Sequence, residues 1–99
     1  MLFRSNQAIQ APKLSYSKGQ VDIFVKGQPN QRYQVELFGN RLASSNEAEI
    51  YLGSIVAATN AQGEANVSWK PTTKVASLTA NLTDQLGATS ELSTALKMK

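Results

Sequence analysis

The chain has 99 residues, enough for one domain, and ten basic against seven acidic side chains give it a net charge of +3. It contains no cysteine and no histidine, which excludes disulfides, thiolate catalysis, cysteine-based zinc sites and the commonest general base. The basic residues form no stripe and no apolar run reaches membrane-spanning length, so we predict neither a nucleic-acid partner nor membrane insertion.

The first residues carry no secretion signal, because the apolar run within 1–5 is far too short for one. We expect residues 1–8 to be a flexible or non-native segment. Residues 9–99 are then expected to form a single domain.

Apolar residues alternate with polar ones along most of the chain, whereas helical spacing is not sustained in any window. The clearest case is 21–26, where Val21, Ile23 and Val25 share one face. Similar patterns predict further strands at residues 12–17, 32–38, 50–59, 64–70, 74–84 and 89–98.

Turn-forming residues separate these segments. Pro29 and Asn30 favour a turn at 27–31, and Gly63 allows a tight hairpin at 60–63. Gly53 interrupts one alternating pattern, which predicts a β-bulge. Residues 39–49 are read as a polar surface loop.

The alternation also predicts which side chains face the core. The inward set is Tyr33, Val35, Leu37, Ala65, Val67, Trp69, Ala76, Leu78, Ala80 and Leu82. In the last segment Leu92, Thr94 and Leu96 are in phase with one another. The polar residues Ser77, Thr79, Asn81 and Thr83 are predicted to lie on a wet outer face. About seven short strands separated by turns predict an all-β, antiparallel, two-sheet sandwich.

Several short motifs occur in a characteristic order: Tyr-Gln-Val-Glu-Leu-Phe-Gly-Asn at 33–40, Tyr-Leu-Gly-Ser at 51–54, Asn-Ala-Gln-Gly-Glu-Ala at 60–65, Leu-Thr-Ala-Asn-Leu-Thr-Asp at 78–84 and Thr-Ser-Glu-Leu-Ser at 89–93. This order resembles the bacterial immunoglobulin-like modules of large secreted and surface proteins. The resemblance implies an immunoglobulin-like sandwich, an extracellular or cell-surface location and no catalytic residues. Asn60 and Gln85 stand where such modules often have Asp and Pro, which weakens any transfer of calcium binding.

Three aromatic residues are candidates for ligand contact. By parity Phe24 and Phe38 point away from the inferred core, and Tyr51 lies beside the 39–49 loop. Together they could form a platform for a sugar ring, or they could cover a sheet edge.

Carboxylates in the loop are the other candidates. Glu47 and Glu49 could contact a ligand, and as a pair they could in principle perform acid–base work. Calcium is a further hypothesis, with oxygens from Asn46, Glu47 and Glu49, or from Asp84 with Glu91. We predict no other cofactor.

The sequence therefore predicts a domain that is not an enzyme: a non-catalytic spacer of a larger bacterial secreted or cell-surface protein. Its partners would be neighbouring domains of the same polypeptide. An adhesive module that binds glycan or protein through 39–49 and the nearby aromatics is an alternative, and a virion decoration or tail domain is another.

Overall fold

A computed structural model describes residues 9–41, 48–71 and 74–98, and over these ranges the chain is all-β. The predicted segment 1–8 lies outside the described residues. Within the described ranges no helix is long and apolar enough to cross a membrane. The strands are β1 (Lys13–Ser17), β2 (Gln20–Lys26), β3 (Arg32–Asn40), β4 (Ile50–Ala58), β5 (Glu64–Trp69), β6 (Ser77–Thr83) and β7 (Leu96–Lys97).

The seven strands form two antiparallel sheets, which confirms the predicted sandwich. One sheet has three strands in the order β1-β2-β5, and the other has four in the order β4-β3-β6-β7. Strand β3 lies inside the larger sheet and pairs with β4 on one side and β6 on the other.

The core lies between the two sheets and follows the predicted alternation. Val21, Ile23 and Val25 of β2 are fully buried, and so are Val35 and Leu37 of β3. Other buried apolar residues are Tyr33, Ala57, Ala65, Leu78, Ala80 and Leu82. Trp69, predicted to be core, is only partly buried and packs at the margin of this cluster.

The predicted bulge at Gly53 is present. The register between β3 and β4 shifts after Leu37, so that Leu37 lies opposite Gly53 while Phe38 lies opposite Tyr51. Leu52 is the extra residue. Gly53 has φ = 143°, a backbone conformation that residues with a Cβ rarely adopt.

Two turns at the same end of the sandwich are built alike. Asn60 Oδ1 accepts hydrogen bonds from the N–H groups of Gln62 and Glu64 at 2.9 and 3.0 Å. Asp84 Oδ1 accepts from Leu86 and Ala88, both at 2.9 Å. In each turn a glycine at the fourth position, Gly63 or Gly87, has a positive φ. A short side-chain oxygen and a left-handed glycine therefore reverse the chain in both places.

The outer face of β6 differs from the prediction. Ser77 and Thr79 are fully buried rather than wet. Asn40, also fully buried, donates from Nδ2 to Thr79 Oγ1 at 3.5 Å and accepts at Oδ1 from the N–H of Glu49 at 3.2 Å. The alternating pattern misassigned this face because polar side chains can be buried when they form hydrogen bonds with a strand that is far away in sequence.

The last predicted strand, 89–98, is also different. Only Leu96–Lys97 is regular, and Thr83 and Thr89 form an isolated bridge. In between, Ser93 donates its N–H to Ala80 O at 2.7 Å while its Oγ accepts from Ala80 N at 3.0 Å. Ser90 makes the same two bonds to Leu82, at 2.8 and 2.9 Å. Serine hydroxyls thus replace backbone carbonyls along this side of β6.

Replacing Ser93 by Ala should destabilise the fold by about 1–3 kcal/mol, because the buried N–H of Ala80 would lose its acceptor. Thr94→Ala, an exposed neighbour, is the control and should change the free energy of unfolding by less than about 0.5 kcal/mol. Urea unfolding of both variants measures the difference. Equal stability of the two would show that the hydroxyl of Ser93 does not act as an acceptor in the folded chain.

Gly63→Ala should be more destabilising than Gly87→Ala, although the two glycines have similar φ values of 80° and 93°. Each change costs about 1 kcal/mol of backbone strain. A Cβ at Gly63 would also collide with the carbonyl oxygen of Gly27, whereas the space around Gly87 is open. Overpacking adds about 1–3 kcal/mol at Gly63. Thermal unfolding of the pair tests this, and a larger loss at Gly87 would contradict it.

Candidate functional site

Two of the three predicted aromatics come together on the outer face of the larger sheet. Phe38 of β3 and Tyr51 of β4 are opposite each other at the bulge, with ring centroids 5.8 Å apart and ring planes inclined at 58°. Tyr51 is 58% exposed, while Phe38 is half-buried. This geometry is typical of a tilted aromatic pair that leaves one ring free for further contact.

Phe24 does not join this pair. It lies on β2, opposite Lys13 and Asn66, in the three-stranded sheet. Its half-buried side chain alternates with the core residues Ile23 and Val25, so it faces the opposite surface of the sandwich. A platform built from all three aromatics is therefore not formed.

Glu49 has a structural role at the base of the predicted 39–49 loop, whose first two residues belong to β3. Its Oε1 accepts a hydrogen bond from the N–H of Arg41 at 2.8 Å and lies 3.9 Å from Arg41 Nε. Glu47 and Asn46 lie outside the described residues, so their part in a ligand or calcium site stays a prediction.

In the second predicted calcium set, Asp84 with Glu91, the Asp84 carboxylate already accepts hydrogen bonds from the backbone. Asp84 Oδ1 holds its own turn through two backbone N–H groups. Across the residues that the structure describes, no group of three or more acidic side chains is arranged to hold a metal ion.

A groove that sequence patterns do not reveal lies at one end of the sandwich and is lined by residues of the 27–31 and 84–88 turns. The side chains that give it chemical character are Lys26, Gln28, Tyr33, Asp84, Ser90 and Glu91. Successive antiparallel strands run in opposite directions, so every second connection lies at the same end of the sandwich. The β2–β3 and β6–β7 connections therefore share one end. That both turns line one groove, although more than 50 residues of sequence separate them, is visible only in three dimensions.

Most polar groups in the groove already have partners. Lys26 Nζ lies 3.3 Å from Glu64 Oε2, in an exposed ion pair that contributes little stability. Tyr33, only 4% exposed, accepts at its hydroxyl oxygen from the N–H of Gln28 at 2.7 Å. The carboxylate of Glu91 is exposed, and no hydrogen bond joins it to another described residue. It is thus the groove carboxylate that is available for external contacts.

The rim of the groove carries an exposed apolar side chain. Leu86, at the tip of the 84–88 turn, is 86% exposed. Single exposed apolar residues are common on protein surfaces, so Leu86 by itself identifies no partner.

No family model matches the chain. It is, however, 64% identical over 94 residues, or 95% of its length, to a 3-dehydroshikimate dehydratase from Acinetobacter baylyi. The chain spans 19% of that protein's length. About four fifths of the relative therefore has no counterpart in these 99 residues.

This similarity overturns the functional prediction. The chain matches a segment of a protein that is named as an enzyme, so its description as non-enzymatic, as a spacer of a secreted or surface protein, as an adhesive module or as a virion domain was wrong. Composition and alternation describe a β-sandwich equally well whether it stands in a surface protein or in an enzyme, because fold does not determine function.

Tyr33→Phe should destabilise the domain by about 1 kcal/mol, since the N–H of Gln28 would lose its acceptor at the floor of the groove. Tyr16→Phe is the matched control, because the Tyr16 hydroxyl makes no hydrogen bond to any described residue, and it should have almost no effect. Chemical unfolding measures both. Identical stabilities would contradict a structural role for the Tyr33 hydroxyl.

Proposed function

We propose that this chain is the β-sandwich domain of an enzyme that dehydrates 3-dehydroshikimate. The observation that carries the proposal is 64% identity, maintained over 95% of the chain, to a protein of that name. Identity that extends over nearly the whole sandwich supports the proposal that the domain has the same place in both proteins.

The proposed reaction makes chemical demands that this domain meets only in part. Loss of water from a hydroxyketone needs a base that removes a proton beside the ketone and an acid that protonates the departing hydroxyl. In the described part of the groove, Lys26 is paired with Glu64 and Asp84 holds its turn. Glu91 offers one free carboxylate. The complete active site therefore includes groups from the rest of the enzyme.

A domain exchange tests the proposal. The matching segment of the Acinetobacter baylyi dehydratase is replaced by this chain, and consumption of 3-dehydroshikimate is followed by chromatography. We expect the kcat/KM of the chimera to lie within about tenfold of the parent enzyme, because a compatible domain should alter transition-state stabilisation by no more than ~1.4 kcal/mol.

A second chimera carrying Leu37→Asp is the control. An unpaired charge at this fully buried position should unfold the sandwich, and we expect turnover to be lost with it. A first chimera that is folded and soluble yet does not consume 3-dehydroshikimate would overturn the proposal. Full turnover by the Leu37→Asp chimera would show that the enzyme does not need this domain.

A further inference from the structure

Strand β4 has one free edge, and the hydrogen bonds on its other side show which residues face that edge. The N–H of Thr59 donates to Gln31 O at 2.8 Å, in register with the β3–β4 ladder. In an antiparallel pair, residues that exchange backbone hydrogen bonds alternate with residues whose N–H and C=O groups point away. By this alternation the backbone groups of Ser54, Val56 and Ala58 point away from β3.

These three residues are available for pairing. Ser54, Val56 and Ala58 are all exposed. β4 ends the strand order of its sheet, and none of the described backbone hydrogen bonds outside the strands involves these residues. The backbone N–H and C=O groups of every second residue thus face the free edge, which is the pattern with which an added antiparallel or parallel strand would pair.

The composition of this edge differs from that of the other sheet edges. β1 carries Lys13, β5 carries Glu64, and β7 is two residues long and carries Lys97. β4 is nine residues long and has no charged residue and no proline. Proteins commonly protect free edges with short strands, charges, proline or bulges. β4 has a bulge at Gly53, but the regular stretch after the bulge, 54–58, has none of these protections and is therefore open to pairing.

Exposed apolar side chains lie beside the same edge. Tyr51 and Val56 are 58% and 57% exposed, and Ile50 is 36% exposed. Of these, Val56 lies within 54–58, where an added strand would flank its side chain. The bulge at Gly53 divides β4, so the regular stretch that an added strand could follow is 54–58.

We infer that the 54–58 edge of β4 pairs with an extended segment from the remainder of the dehydratase polypeptide. This inference rests on the proposed function, which supplies the occupant: about four fifths of the relative's length lies outside the matched domain. A chain that is part of the same protein can occupy an edge permanently, which removes the need for charges on that edge.

Hydrogen–deuterium exchange at single-residue resolution tests the inference, with the isolated chain compared with the chimeric enzyme. In the isolated chain the amides of Ser54, Val56 and Ala58 should exchange rapidly. In the chimera they should exchange at least ~100-fold more slowly, because an added strand would accept their hydrogen bonds. The amides of Ile55 and Ala57, which face β3, are internal controls and should be protected in both proteins.

Val56→Pro provides the matched variant. Proline removes an N–H that points to the free edge, so the β3–β4 ladder keeps its hydrogen bonds while an added strand loses one. We expect the melting temperature of the isolated chain to change little, and the protection of Ser54 and Ala58 in the chimera to disappear. If the proline variant does not fold, Val56→Lys places a charge on the edge instead, and Val56→Thr retains both the N–H and the β-branch as the neutral control.

The possible results separate the two ideas. An inactive chimera would overturn the proposed function whatever the exchange rates are. An active chimera in which these three amides exchange as rapidly as in the isolated chain would overturn the edge inference alone. Protection that appears in the isolated chain and grows with its concentration would also overturn it, because the occupant would then be a second copy.

Discussion

The position of β3 is the constraint on which the rest of the fold depends. It is hydrogen-bonded on both sides, to β4 and β6, and its alternate residues Tyr33, Val35 and Leu37 supply the centre of the core. A one-residue slip of this strand would turn all three side chains outward, so its register is strongly determined. The bulge opposite Leu37 follows from the same constraint: β4 must accommodate Gly53 while the register of β3 is held by β6. The aromatic pair of Phe38 and Tyr51 then forms where the register resumes.

Much of this architecture could be predicted from the sequence because it is recorded in local patterns. Period-two alternation correctly identified the inward residues of β2 and β3, and Gly53 correctly marked the bulge. The errors concern polar residues whose environment depends on distant partners. Ser77 and Thr79 are buried and Ser93 bonds the backbone of Ala80, but a serine or threonine in an alternating pattern reads as solvent-exposed whether or not another strand provides its hydrogen bonds.

The candidate site, too, could be predicted where it depends on local sequence and could not be where it depends on distant parts of the chain. Phe38 and Tyr51 could be paired from parity and loop position, but Phe24 has the same parity and lies on the other sheet, since alternation does not say which sheet a strand joins. The groove could not be predicted because its walls come from turns far apart in sequence. Function was misjudged for a related reason: short motifs shared by many sandwiches describe how the strands pack, while the chemistry of an enzyme depends on groups brought together from its whole chain.

An edge such as β4 is a hazard in a free domain but not in a domain that is covalently joined to its partner. In a free domain, nine uncharged residues with exposed Tyr51 and Val56 would favour association between copies. When the complementary segment belongs to the same polypeptide, its effective concentration is roughly millimolar, so even a short strand added at 54–58 would be bound most of the time. Selection for solubility would then act on the edges that remain open, and Lys13, Glu64 and Lys97 stand on those edges. The presence of charges on the other three edges and their absence from β4 is the distribution that the inferred partner segment would explain.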